Sequence, residues 1–260
     1  VPGFYAVTPD KEIRLFSRGG SDITGSIIAK SVSADLYENW TDVNGIYTAS
    51  PSIIKDVTQI EEITYRELRE LSYRGANVLH EETISPLEDK NIPILIKNTN
   101  KPHDKGTMIT NTLTSTQHLM TGIAGKQDFT SFNINKTSDI SKIRVLRDVL
   151  NLFIRYHVNI EHIPSGIDSF SVIVETDQIK QNRFDLINDI RNVDGVLDLQ
   201  VESDISLLAI VGRNMANIPG IAGRLFSALG KENINIKIIG QASTEISIII
   251  GVAKEGVDLK

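Results

Sequence analysis

Residues 128–137 read DFTSFNINKT, and residues 204–213 read DISLLAIVGR, 76 positions further on. The same offset lays VLRDVLNLFIRYHVNIEHI (145–163) on IAGRLFSALGKENINIKII (221–239), and SGIDSFSVIV (165–174) on QASTEISIII (241–250). Identities are few: Asp128/Asp204, Asn159/Asn235, Ile160/Ile236, Ile163/Ile239, Ser171/Ser247 and Ile173/Ile249. The hydropathy pattern carries more. Val145, Val149, Leu150 and Phe153 fall on Ile221, Leu225, Phe226 and Leu229, the i, i+4, i+5, i+8 positions of one helical face. After each helix come an apolar strand, a short polar turn and another strand. A shared offset across four elements predicts two copies of a small α+β unit. Such copies pack on each other, because neither alone buries its apolar face well.

Ahead of the repeat, the chain alternates strands and helices. GFYAVT and IRLF flank the turn PDKE, and Asp22 to Val32 has helical spacing through Ile23, Ile27 and Ile28. ADLYEN reads as a strand. Thr64 and Glu67 form a capping box before YRELRELSYRGA, whose apolar positions include Leu68 and Leu71. The charged face of that helix is expected to be solvated. A further helix follows from Glu81, and IPILIKNT reads as a buried strand. This order predicts an α/β layer with a largely parallel sheet. The polar segment from about 100 to 118 reads in part as a connector, while HLMTGIAGK (118–126) is apolar enough for a strand.

Composition narrows the function classes. Of 260 residues, 40% are hydrophobic and 23% charged, enough for one large or two to three small domains. The net charge of -6 argues against a nucleic-acid partner. With no cysteine there is no disulfide framework, thiolate nucleophile or Cys-based zinc site, which fits a reducing, cytoplasmic setting. No apolar run has the length of a membrane span, so no membrane partner is expected. The five histidines lack metal-ligand spacing, so no metal site is assigned to the chain.

FSRGGSD (16–22) is where chemistry concentrates. A strand feeds a Gly-Gly turn that opens a helix at Ser21 or Asp22, whose free N–H groups and dipole favour an anion. Gly19 and Gly20 let a ligand approach the backbone. Arg18 can fork onto a carboxylate or phosphate, and Asp22 can hold an ammonium. An amino acid satisfies both; so, on bare chemistry, does an Asp N-cap with an Arg salt bridge. A second feature is Trp40-Thr41-Asp42 at the end of a strand, followed by the turn at Asn44-Gly45, a place where open α/β sheets bind ligands. Trp40 itself is expected to be an ordinary packing residue.

SRGGSD (17–22), ADLYENWTDVNGIY (34–47), ITYRELRELSYRGANVLHEE (63–82) and NIPILIKNTNKPHDKGT (91–107) resemble aspartokinase in order and spacing. EHIPSGIDS (161–169) and PGIAGRLFSALGKENINIKIIGQASTEISI (219–248) are similar to that family's regulatory tail. The resemblance implies a partial amino-acid-kinase α/β sandwich followed by two ACT domains, each a ferredoxin-like βαββαβ unit. It places the kinase portion at 1–112, the first ACT domain at 128–200 and the second at 118–127 plus 201–260, its last strand borrowed from ahead of the first. It implies phosphorylation of the side-chain carboxylate of L-aspartate by Mg-ATP, towards lysine, threonine and methionine. Arg18 would pair with the α-carboxylate of aspartate, Asp22 with its ammonium, Ser21 would help place the reacting carboxylate, and Gly20 would line the substrate site. Thr41, Asp42 and Tyr47 lie where the family binds nucleotide.

The family also has a homodimer joined through its ACT units and a lysine or threonine effector. Glu161, Ser165 and Asp168 are read as a cluster at one strand end, with Gln241, Ser243 and Glu245 at the equivalent turn of the second copy. Paired acidic side chains there would hold an amine, or would be solvated turn residues; Val145 and Leu146 are named as wall residues. Three features depart from the family. A Lys-Phe-Gly-Gly strand is absent, Ser50-Pro51-Ser52 stands where many relatives have DPR, and Asn77 stands where many have a nucleotide-contacting Lys. The chain is expected to begin about two-thirds of the way through the kinase fold, to end before a final ACT helix, and to be inactive alone. The alternative is a non-catalytic amino-acid-binding ACT module that dimerises.

Overall fold

The computed structural model describes residues 3–16, 19–75, 79, 81–113, 120–213, 215, 218–241 and 246–253. A hairpin of β1 (Tyr5–Val7) and β2 (Ile13–Leu15) leads into α1 (Gly20–Ser31). Then come β3 (Tyr37–Thr41), β4 (Glu62–Thr64), α2 (Tyr65–Tyr73), α3 (Glu81–Glu88), β5 (Ile94–Asn98) and β6 (Thr107–Thr110). The four strands after the hairpin form one sheet in the order β3-β5-β6-β4. β3 runs parallel to β5 and β4 parallel to β6, but β5 and β6 are antiparallel. The sheet is therefore mixed rather than largely parallel. Its extra strand, β6, comes from the segment read as connector: Thr107 and Ile109 are buried, alternating with half-buried Met108 and Thr110. Gly106 makes that strand possible. Its φ is +79°, and a Cβ there would sit 2.1 Å from the Ile96 carbonyl oxygen.

α2 starts where its capping box requires. Thr64 Oγ1 accepts from the Glu67 N–H at 3.2 Å, and the Glu67 carboxylate accepts from the Thr64 N–H at 2.9 Å. Tyr65, Leu68 and Leu71 are buried against Ile63, Ile94, Ile96 and Ile109. The Tyr65 hydroxyl donates to the Ile92 carbonyl, and burial, followed by the charge of Glu88, pushes its pKa up to about 12.

The repeat builds a six-stranded antiparallel sheet. Two long strands, β7 (Met120–Lys136) and β10 (Val196–Gly212), run side by side through its centre. Around them lie α4 (Lys142–Arg155), β8 (Ile160–His162), β9 (Ser169–Glu175), α5 (Thr176–Ile179), α6 (Arg183–Arg191), α7 (Ile221–Lys231), β11 (Ile236–Gly240) and β12 (Ser247–Ala253). The strand order is β11-β12-β10-β7-β9-β8. The second part of β7 and the first part of β10 combine with β8 and β9 as a βαββαβ unit. In the other unit Leu207–Val211 of β10 pair with β12 on one side and with residues 122–126 of β7 on the other. Each long strand thus serves both units.

Both long strands change direction at the residue that opens each repeat. Asp128 has φ 67° and Asp204 φ 60°, and the β7–β10 register shifts on both sides of Ile205. Asp tolerates this left-handed backbone better than most side chains, at the cost of a local bulge. The repeat offset recurs at the helix exits, where His157 and Asn233 both have φ 55°.

Candidate functional site

Three groups of side chains are candidates for chemistry: the start of α1, the ends of β3 and β5, and the junction of α2 with the six-stranded sheet. At the first, Gly19 caps α1 with φ 64°, and the N–H groups of Asp22 and Ile23 both return to its carbonyl at 3.0 Å. The helix begins at Gly20, and Asp22 lies in its first turn rather than capping it. Protein fills the space beside Gly20. A Cβ there would meet the Phe16 ring at 2.8 Å and the Gly3 carbonyl at 2.9 Å. The two glycines therefore have a conformational reason (Gly19) and a packing reason (Gly20). Ser21 is exposed and Asp22 half-buried. Arg18 lies outside the described residues.

Asp22 is pinned from β3. Asn39 Nδ2 donates to Asp22 Oδ1 at 3.1 Å and to the Tyr37 hydroxyl at 3.3 Å, and that hydroxyl reaches the Asp22 carbonyl at 3.4 Å. Burial raises the pKa of Tyr37, the Asn39 bond opposes this and the Asp22 charge adds to it, so the phenol stays a neutral donor. Asn39 is 8% exposed. Its role escapes a sequence reading because its partner is 17 residues back and no spacing rule links the two. Because strand side chains alternate, Tyr37, Asn39 and Thr41 share one face, with Thr41 about 7 Å beyond Asn39.

Thr41 ends β3 in parallel register with Asn98 of β5. Thr41 Oγ1 donates to Asp42 Oδ1 at 3.2 Å, and Asn98 Nδ2 reaches the Asp42 carbonyl at 3.3 Å and Asn44 Oδ1 at 2.5 Å. Asp42 is exposed, and half-buried Tyr47 forms a bridge to Gln59. Carboxyl ends of neighbouring parallel strands, lined with hydroxyl, amide and carboxylate groups, fit a polar ligand such as a nucleotide. Trp40 is not a packing residue as expected: it is 45% exposed, its indole N–H donates to Glu38, and Lys97 sits 5.4 Å from its ring. Pointing away from the Asn39 face, it meets solvent instead of core.

The third group corrects two expectations. The charged face of α2 is only partly solvated: Arg66 and Arg69 are exposed, but Glu67, Glu70 and Arg74 turn towards the six-stranded sheet. Glu67 is 1% exposed, and besides Thr64 its carboxylate accepts from Thr121 Oγ1 of β7 and from Arg213 Nε at 2.9 Å. Burial alone would raise its pKa; hydrogen bonds from Thr121 and Thr64, with the Arg213 charge, outweigh that and hold it below 4.5. Next along the helix, Glu70 accepts from Ser247 Oγ at 3.0 Å, and Arg74 Nη1 reaches Glu161 at 3.5 Å. Second, Glu161 and Asp168 are not one cluster. Glu161 faces α2, where Tyr73 donates to it at 3.3 Å, whereas Asp168 pairs with Lys136 at 3.1 Å at the far end of β9. The length of that strand, roughly 20 Å at about 3.3 Å per residue, separates them. Burial raises the pKa of Glu161 against the opposing pull of Arg74.

The remaining expected effector residues divide the same way. Ser165 bridges to Phe170 beside Asp168, Val145 is fully buried in the first unit and Leu146 packs half-buried beside it. Gln241 lines a cleft with Glu70, Arg74, His162 and Ser247. Ser243, Glu245 and Asn77 lie outside the described residues. Among the described residues, no group of three or more His, Cys, Asp or Glu could hold a metal ion, and no helix is long and apolar enough to cross a membrane.

Residues 1–98 match the amino acid kinase family and residues 208–259 match the ACT domain. Aspartokinase 3 of Bacillus subtilis is 38% identical over 255 residues, covering 96% of this chain and 56% of its own length. The crystal structure of Clostridium acetobutylicum aspartate kinase superposes with a TM-score of 0.90 at 46% identity, over 98% of this chain and 59% of that one. Escherichia coli aspartokinase III, solved with aspartate and ADP, shares the fold at 24% identity with a TM-score of 0.83. The chain thus spans a little over half the length of the relatives it matches.

Proposed function

From a chain that belongs to the aspartokinase family, we propose a protein that transfers the γ-phosphoryl group of ATP to the side-chain carboxylate of L-aspartate, under feedback by an amino acid. The division follows the sequence: residues 1–112 kinase portion, 128–200 first ACT domain, 118–127 with 201–260 second ACT domain. A homodimer through the ACT units, a lysine or threonine effector, Mg-ATP as donor and a cytoplasmic setting belong to the same proposal.

One observation carries it: Asp22 is held in the first turn of α1 by Asn39, next to exposed Ser21 and on the same side of β3 as Thr41. A carboxylate nucleophile is ionised at neutral pH and needs no general base. The difficulty is bringing two anions together, so positioning and charge neutralisation dominate. Asp22 takes the ammonium of aspartate, Arg18 its α-carboxylate, Ser21 donates towards the carboxylate that reacts, and Gly20 borders them. Thr41, Asp42 and Tyr47 hold the nucleotide along the strand ends. ATP supplies the phosphoryl group; the chain supplies orientation.

The test is ATP-dependent formation of aspartyl phosphate, trapped with hydroxylamine, by the complete gene product. A charge-assisted bond is worth about 1.5–3 kcal/mol, so Asp22→Asn should raise KM for aspartate roughly 10- to 100-fold. Asn39→Ala should move it the same way by less. Unchanged KM in Asp22→Asn would remove Asp22 from the substrate site.

A further inference from the structure

A cleft of about 240 Å³ opens where α2 meets β8, β11 and β12. It draws on all three parts of the molecule: Glu70 and Arg74 from α2, His162 from the first ACT unit, and Gly240, Gln241 and Ser247 from the second. Its volume falls below the roughly 300–1,000 Å³ of sites for drug-sized ligands, which points to a small occupant.

The polar inventory of the walls is incomplete. Arg74 Nε and His162 Nε2 are buried, and among the described residues neither has a hydrogen-bond partner. Buried donors of this kind are nearly always satisfied by protein, water or ligand. Glu70 and Arg74 have the i, i+4 spacing that lets a helix pair neutralise itself. Here each reaches across the junction instead, Glu70 to Ser247 at 3.0 Å and Arg74 to Glu161 at a long 3.5 Å. Gly240 leaves the imidazole its place, since a Cβ at that position would lie 2.3 Å from His162 Nε2.

We propose that this cleft binds a small zwitterion, an α-amino acid, with its carboxylate on Arg74 and His162 and its ammonium on Glu70. A bare carboxylate would meet the charges of Glu70 and Glu161, and a bare amine would meet Arg74, so only a ligand carrying both signs satisfies the walls. Burial and the neighbouring Arg74 charge keep the pKa of His162 below 6.5, so its ring is neutral at pH 7 and can donate one N–H without adding a second cation. An occupant touching α2 and both units favours the arrangement that brings them together, and so couples the kinase portion to the ACT sheet. The choice of amino acids as probes rests on the regulatory reading above; the site rests on the side chains.

Calorimetric titration of the chain with each of the common L-amino acids should find at least one that binds and raises Tm. Acetate and methylammonium, the two half-ligands, should each bind at least about tenfold more weakly, the loss of one charge-assisted contact. Glu70→Gln keeps the shape and the Ser247 contact and should weaken the amino acid about tenfold or more, with Tm of the free chain unchanged. Arg74→Met, which keeps the aliphatic stem, should weaken the amino acid as much, and should also lower Tm of the free chain because it removes the partner of Glu161. No binding by any amino acid at about 10 mM, an affinity weaker than about -3 kcal/mol, would overturn the proposal. Binding undiminished in both variants would also overturn it, while leaving an effector site elsewhere in the ACT units. Acetate binding as tightly as the amino acid would rule out the zwitterion.

Discussion

In the first ACT unit Val145, Val149 and Phe153 of α4 and Leu186 and Ile190 of α6 are all fully buried, closing over Phe132, Phe170 and Val172. In the second, Ile221 is the one buried residue of α7, and Leu225, Phe226 and Leu229 are only partly covered. Yet the second unit reaches further. Ala124 and Val211, from its paired strands, belong to the same core as Leu68 and Leu71 of α2, and Thr121 and Arg213 supply the partners of buried Glu67. One repeat pattern thus serves two ends: a self-sufficient core in one copy and a docking face in the other. The difference lies in what packs against each sheet, not in the strands themselves.

The largest effect that would sharpen this contrast is in the first core. Phe132 and Phe153 meet edge to face at 5.4 Å, and both are fully buried. Phe153→Ala should cost about 3–5 kcal/mol in urea unfolding followed in the first unit. The matching change in the second, Leu229→Ala, should cost less, because that side chain is only partly buried. Equal losses would erase the distinction.

Acid comes next. The folded pKa of Glu67 is lowered from 4.5, so its contribution to stability is present above pH 4.5 and lost as pH falls through the lowered value. Glu67→Gln should flatten the acid limb of the stability profile at the junction. An unchanged acid limb would mean that Glu67 does not titrate across that range.

A smaller effect concerns the bulges. Asp204→Ala keeps a Cβ at φ 60° but removes the polar side chain that tolerates it, and should cost about 1 kcal/mol, while Asp204→Gly should be neutral or stabilising. If Ala and Gly behave alike, the left-handed backbone is not what fixes Asp at the two repeat starts.

How much of this was legible in the sequence depends on reach along the chain. The repeat, the helix faces and the Thr64–Glu67 capping box are set by neighbours a few residues apart, and a pattern of spacing exposes them. The docking role of Glu67 was not legible, because Thr121 and Arg213 lie 54 and 146 positions away. The same residue completes a local cap and accepts across the junction, and only the first role leaves a motif. At the start of α1, Gly19, Ser21 and Asp22 could be singled out by type. Asn39, which fixes Asp22, could not be, since an Asn in a strand has no spacing rule. The strand at Thr107–Thr110 hid because four residues amid Thr and Gly carry too little apolar signal against a turn-rich background.

The docking of the second unit onto α2 is tested most directly by a double-mutant cycle between Glu67→Gln and Arg213→Met, read by urea unfolding. With Glu67 buried and bonded to Arg213 Nε at 2.9 Å, a coupling of about 1–3 kcal/mol is expected. Additivity to within about 0.3–0.5 kcal/mol would contradict a shared, buried ion pair at this junction.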